Sequence, residues 1–144
     1  MIVQSAPAGA PQLVIAMAEH TAFAGALARA FGNDVFESVS PREEMLYVIE
    51  HHDAGWLDYD ARAPRSDKTG LPFNLVETPF ADIIKTSAGS PAFNAKRHPF
   101  CGLISSMHSW GLYNGRYGMS DQVLLDSIAA ENRVAADRML NGEL

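Results

Sequence analysis

The sequence predicts an all-α protein: a bundle of about five helices with one long irregular loop between the second and third main helices. Several stretches repeat apolar side chains with the 3.6-residue period of a helix, and helix start and stop signals flank them. The 144 residues, 47% apolar and 19% charged, suit a single hydrophobic core. We therefore expect one domain over residues 1–144.

The first helix is predicted over residues 13–31, where Gly32-Asn33 supplies a stop signal. His20 lies on its apolar stripe, which makes this histidine a candidate site residue. Residues 1–11 are rich in Pro, Ala and Gly and predict either a frayed tail or an edge strand at residues 1–3. The inward stripe of the helix is Leu13, Met17, His20, Ala24, Leu27 and Phe31.

A second helix is predicted to begin at Ser40-Pro41, with Ser40 as the N-cap and Glu43 completing a capping box. It should end near Gly55. His52 and Asp53 therefore fall where the helix meets the following loop. The inward line of the helix is Met45, Val48, Ile49 and His52.

Residues 57–97 hold several prolines and glycines and predict an irregular segment, with one short helix at 80–86. A loop of this length in a compact domain often covers a site. We expect this segment to fold over a functional site and to bring positive charge to a small anionic substrate. The candidate substrate-binding cations are Arg62, Arg65, Lys68, Lys96 and Arg97.

Two more helices complete the prediction. One runs from Pro99 to about Leu112 and turns Cys101, Ile104 and His108 inward, and the last spans residues 120–140.

Charge and segment lengths exclude some classes of protein. Eleven Lys and Arg against seventeen Asp and Glu give a net charge of -6, which disfavours binding to nucleic acid. The early apolar run at 13–18 is too short to cross a bilayer, and the cationic start of a secretion signal is missing. We expect a cytoplasmic protein with no membrane or nucleic-acid partner, and homo-oligomerisation stays open.

Three histidines, His20, His52 and His108, lie on the apolar stripes of three different helices. Each alone is ordinarily a hydrogen-bonded core residue. Three imidazoles in one small core are costly to bury unless a shared partner satisfies them, and a metal ion does so. Asp53 adds an oxygen ligand, so a His3Asp site for a divalent ion (Mn, Fe, Ni, Co or Zn) with open coordination positions is predicted.

The other two histidines are separated from this set by helix geometry. His98 precedes His108 by ten residues, roughly 15 Å along a helix, so both cannot reach one ion. His51 points about 100° away from His52 and is expected near the surface or behind the ligands.

These residues resemble a known family. A histidine on a first helix, a His-Asp doublet ending a second and a later helical histidine are similar to the HD superfamily of metal-dependent phosphohydrolases and their iron oxygenase relatives. The stretches 52–56 (HDAGW), 70–73 (GLPF) and 105–108 (SSMH) more closely resemble a small uncharacterised HD-like family with an HDxGW-type motif, known as a domain of unknown function. The likeness covers residues 13–113.

The resemblance implies an HD-like fold and a late-helix aspartate ligand, for which Asp121, Asp126 and Asp137 are candidates. Helical phase favours Asp121. The implied function is hydrolysis of a small phosphate-containing substrate by a metal-activated water, with His52 and Asp53 as catalytic residues. Two alternatives remain: an iron site that activates dioxygen, and a non-catalytic module that binds a metal or ligand.

Overall fold

A computed structural model describes residues 1–4, 6–7 and 9–112. The described residues form four helices of ten residues or more, one six-residue helix, two 3₁₀ turns and a two-stranded antiparallel sheet, which confirms the predicted all-α class. The predicted helix at 120–140 lies outside the described residues. In chain order the elements are β1 (Ile2–Val3), β2 (Val14–Ile15), α1 (Met17–Ala30), α2 (Arg42–His51), a 3₁₀ turn (Ala54–Trp56), α3 (Leu57–Arg62), a 3₁₀ turn (Leu75–Glu77), α4 (Phe80–Ala95) and α5 (Pro99–Gly111).

The start of the chain forms an edge strand rather than a frayed tail. Ile2 pairs with Ile15 in the small sheet, so α1 begins four residues later than the sequence predicts. The buried Asp60 carboxylate of α3 fixes this region. It accepts a hydrogen bond from the Met17 backbone N–H at 2.5 Å and pairs with the Met1 ammonium at 2.9 Å.

The buried face of α1 differs from the predicted stripe. Met17, Thr21 and Gly25 are buried, whereas the side chains predicted inward at Leu27 and Phe31 are 57% and 51% exposed. The reason is the close packing of α1 on α2. A Cβ atom at Gly25 would lie 3.0 Å from the Glu50 Cβ, so the face of small residues meets α2. Leu13, also predicted inward, is 58% exposed.

The predicted capping box of α2 is wrong. The N-cap is Pro41, without any side-chain cap hydrogen bond. Because Pro41 itself takes the extended N-cap conformation, Ser40 lies one residue too early to cap the helix. The Glu43 carboxylate pairs instead with the Arg97 guanidinium.

The predicted long loop is wrong over residues 57–62 and 87–95, which lie in α3 and α4, whereas the short helix predicted at 80–86 is confirmed as the first part of α4. Helix α4 continues through Gly89 and Pro91. Proline cannot donate to the Ser87 carbonyl four residues earlier, but the Ser109 hydroxyl of α5 donates to it at 3.4 Å. Between α3 and α4 the backbone at residues 63–79 is irregular, apart from the 3₁₀ turn.

The helices pack in pairs around the first 3₁₀ turn. α1 packs on α2, α2 also contacts α5, and α5 packs on α4, while the turn contacts both α1 and α4. A hydrophobic cluster of Met17, Trp56, Tyr59 and Ile83 lies where these elements meet. No helix in the described part of the chain is both long and apolar enough to span a bilayer.

Candidate metal centre

Three of the predicted ligands converge. His20 of α1, together with His52 and Asp53 at the end of α2, offers one ligand atom each, and these atoms all lie within 4.8 Å of one another. The ring centroids of His20 and His52 are 5.5 Å apart and nearly perpendicular. The predicted convergence of His20, His52 and Asp53 is therefore confirmed.

The backbone after α2 positions the His-Asp doublet. α2 ends at His51, and Asp53 leaves the helical region with φ -109° and ψ 25°. The following turn is fixed to α4, because Ser90 Oγ accepts a hydrogen bond from the Gly55 N–H at 3.0 Å. A Cβ atom at Gly55 would lie 2.0 Å from the Thr86 carbonyl oxygen, so only glycine allows this approach.

Hydrogen bonds orient the His52 ring for metal binding. Its Nδ1 atom lies 2.7 Å from the Ile49 carbonyl oxygen, so Nδ1 carries the proton donated there. Nε2 then faces the site, 3.2 Å from the Asp53 Oδ2 atom. A backbone acceptor behind a ligating imidazole is the usual support of a metal-bound histidine.

The same contacts change the pKa of His52. Burial lowers this pKa, but the hydrogen bond to Asp53, its negative charge and the Ile49 carbonyl outweigh burial and raise the pKa above its usual value of 6.5. His52 must therefore release a more tightly held proton before its Nε2 atom can bind a metal ion.

His108 of α5 lies beside the group of three. Its ring centroid is 4.6 Å from that of His52, and its Nε2 atom is 3.9 Å from the Asp53 Oδ1 atom. Its side chain is 34% exposed, against 13% for His52 and 12% for Asp53. His108 therefore shares the site but is more accessible than His52 and Asp53.

All four residues line one cavity of about 380 Å³. Its walls come from β1, α1, the residues that follow α2, the first 3₁₀ turn, the irregular segment, α4 and α5. The other described lining residues are Ile2, Met17, Trp56, Leu75, Val76, Ile83, Ser87, Ser109 and Leu112.

The donor set suits a divalent ion. Two imidazole nitrogens and a carboxylate oxygen are ligands for Zn, Fe, Mn, Co or Ni. Ligand atoms about 2.1 Å from one ion lie at most about 4.2 Å apart, so a small inward movement of the three side chains forms a binding site. His20, His52 and Asp53 are thus a group that could hold a metal ion.

The remaining histidines lie elsewhere, as predicted. His51 stacks on Tyr47 with a centroid distance of 4.3 Å, and its Nδ1 atom bonds the Tyr47 carbonyl. His98 is the N-cap of α5 and accepts a hydrogen bond from the Phe100 N–H at 3.2 Å. Asp121 lies outside the described residues.

The structure does not bring the five predicted substrate-binding cations to the walls of this cavity. The three arginines have other partners: Arg62 and Arg65 bond the Asp58 and Gly70 carbonyls, and Arg97 pairs with Glu43. Arg62 and Lys96 line a separate groove of about 790 Å³ between α3 and α4. Lys68 is exposed in the irregular segment.

Several lining residues escaped the sequence prediction. Ile83 and Ser87 lie on α4, which the sequence pattern predicts as a helix only over residues 80–86. Ser109 immediately follows His108 on α5 and is buried. Trp56 both lines the cavity and belongs to the hydrophobic cluster.

Comparison with known proteins identifies the family. Residues 1–141 match the family described as "Protein of unknown function (DUF3891)", and the chain belongs to this family. No curated protein and no solved structure shows significant similarity to it.

Proposed function

We propose that this protein is a metal-dependent hydrolase in which His20, His52 and Asp53 hold one divalent ion. The observation that carries the proposal is the convergence of these three side chains on one cavity. The resemblance of the His-Asp doublet to HD phosphohydrolases supports it. A divalent ion bound here supplies Lewis-acid activation of a water molecule.

The residues of the chain have separate tasks in this proposal. Asp53, His20 and His52 bind the ion. The Ile49 carbonyl holds His52 in the tautomer that exposes Nε2. His108 lies next to Asp53, and its side chain is more exposed than that of His52. Two roles are open to it, as a fourth ligand or as an acid–base group. We assign it the proton transfers, taking a proton from the attacking water and returning one to the leaving group.

Hydrolysis of phosphate esters, which the resemblance implies, stays a prediction. The cations expected to bind them lie away from the cavity walls. The proposal therefore includes hydrolysis of uncharged esters and amides as well as of phosphate esters.

The test combines metal analysis with turnover. Protein stripped with a chelator and reloaded with Zn, Mn, Fe, Co or Ni is assayed on p-nitrophenyl acetate and p-nitrophenyl phosphate. We expect one ion per chain and hydrolysis that requires it. His52→Ala should lose both, whereas His108→Asn should keep the ion and lose about 10²–10⁴ in rate. Full hydrolysis by the stripped protein would contradict the proposal.

A second candidate is an iron site that activates dioxygen. Two histidines and one carboxylate with open positions are the ligand set of non-haem Fe(II) oxygenases, and the group His20, His52 and Asp53 has this composition. Oxygen consumption by the Fe(II)-loaded protein in the presence of an organic substrate would favour this candidate. A bound ion with neither activity would favour the non-catalytic module.

A further inference from the structure

The walls of the metal cavity are part of the hydrophobic core. Six apolar side chains that line it belong to, or pack against, one contiguous hydrophobic cluster. Of these, Met17, Trp56 and Ile83 are 2%, 4% and 7% exposed, so the body of the protein holds them in place. The six are Ile2, Met17, Trp56, Leu75, Ile83 and Leu112.

Polar groups in the cavity are few. Among the described lining residues, besides His20, His52, Asp53 and His108, the hydroxyl-bearing side chains are those of two serines, Ser87 and Ser109. The Ser109 hydroxyl already donates to the Ser87 carbonyl. Among the described residues no lysine or arginine lines this space, and Asp53 contributes a negative charge.

This composition selects against multiply charged substrates. Moving an ionised phosphate from water to apolar walls is costly unless donors replace its hydration. One divalent ion beside the Asp53 carboxylate leaves a net charge of about +1, which balances one negative charge on a ligand. An apolar body, in contrast, gains from contact with Trp56 and Leu75.

Cavity volume indicates how much of a ligand the described walls can surround. A dry apolar cavity of about 150 Å³ accommodates benzene, and this cavity measures about 380 Å³. After room is left for an ion and its water, about a dozen non-hydrogen atoms of a ligand can lie between these walls.

We propose that the substrate of this site is a small, predominantly apolar molecule with at most one ionised group, in preference to a nucleotide or a sugar phosphate. The proposal rests on the metal site of the proposed function. It adds that the apolar walls around Trp56, Leu75 and Ile83 form the specificity surface, which holds the organic part of the substrate while its polar group meets the ion.

The experiment uses binding rather than turnover. Acetohydroxamate and benzohydroxamate share one metal-binding group and differ in an apolar ring, and inorganic phosphate is the charged comparison. Calorimetric titration of the zinc-loaded protein should give benzohydroxamate an affinity at least tenfold above that of acetohydroxamate. Phosphate should bind more weakly than benzohydroxamate.

Two leucines of the irregular segment provide a matched pair of variants. Leu75→Ser replaces a cavity wall and should reduce the benzohydroxamate preference to less than threefold, with zinc binding unchanged. Leu71→Ser alters a side chain that does not line the cavity and is 39% exposed, and it should leave the preference intact. Equal effects of the two substitutions would overturn the assignment of the wall.

The titrations separate this proposal from the proposed function, because the ratio of the two hydroxamates is also measured without metal. If the protein binds no zinc but still prefers benzohydroxamate to acetohydroxamate, the metal-dependent function alone is overturned. Zinc binding accompanied by equal hydroxamate affinities, or by tighter binding of phosphate, overturns the apolar substrate class alone.

Discussion

The Nε2 atom of His52 lies 3.2 Å from the Oδ2 atom of Asp53, although the two residues are neighbours in the chain. Within a helix, successive side chains point about 100° apart. Here α2 ends at His51, and the non-helical backbone of Asp53 returns its carboxylate toward the ring of His52. The end of the helix thus brings the side chains of two consecutive residues to face one point.

This contact predicts how the stability of the metal-free protein depends on pH. The pKa of His52 is raised in the folded state, so its protonated form stabilises the fold. The contribution is fully present below the unfolded value of about 6.5 and is lost as pH rises through the higher folded pKa. We expect the urea midpoint of the metal-free protein to fall over this interval, and His52→Gln to lack that component of the decline.

Zinc should reverse the pH dependence of the urea midpoint over the same interval. His52 must lose its proton to bind a metal, so stabilisation by zinc increases with pH. Urea unfolding at several pH values, with and without zinc, measures both effects. A metal-free midpoint that rises between pH 6.5 and 8 to the same extent in the parent and His52→Gln would contradict the assigned contact.

Gly55→Ala should damage both the fold and the site. Its new Cβ atom would meet the Thr86 carbonyl oxygen at 2.0 Å, so α4 and the 3₁₀ turn must separate. We expect a loss of about 3 kcal/mol or more in the free energy of unfolding, since the clash involves backbone atoms, and weaker zinc binding. Gly111→Ala is the control, because a Cβ atom there has no neighbour within 4 Å among the described residues. Similar stabilities of Gly55→Ala and Gly111→Ala would contradict the close packing of Gly55 on α4.

Ser109 should stabilise the proline-containing part of α4. Its hydroxyl donates to the Ser87 carbonyl, which Pro91 leaves without its helical donor. Ser109→Ala should cost about 1 kcal/mol in the parent and clearly less in a Pro91→Ala background, where a backbone N–H replaces the hydroxyl. A double-mutant cycle measures the difference. Ser106→Ala, whose hydroxyl bonds Leu103 within α5, should show no coupling to Pro91→Ala.

The ligand group was predictable from sequence because helical phase depends only on local spacing. His20, His52 and His108 recur on predicted apolar stripes and all three line the cavity, although of the predicted α1 stripe only Met17 and His20 do so. Asp53 followed from its place beside His52. The predicted bounds of α5 were also nearly correct, since Pro99 marks its start and no breaker interrupts it.

The errors have tertiary causes. Gly89 and Pro91 indicate a loop in isolation, but in the fold Gly89 accommodates Gly55 and a hydroxyl from α5 compensates for Pro91. Leu27 and Phe31 follow the helical period of α1, yet the small residues of that helix face α2. Arg97 pairs with Glu43, which is 54 residues away in the chain, and no local pattern specifies such a partner.

Elemental analysis combined with anomalous scattering tests the central claim most directly. Protein purified without added metal and crystallised should contain about one divalent ion per chain, with anomalous density within about 2.3 Å of His20, His52 and Asp53. His52→Ala should contain almost none, while His51→Ala, altered at the adjacent histidine outside the cavity, should keep its full content. An ion bound elsewhere, or equal metal content in the two variants, would contradict the account.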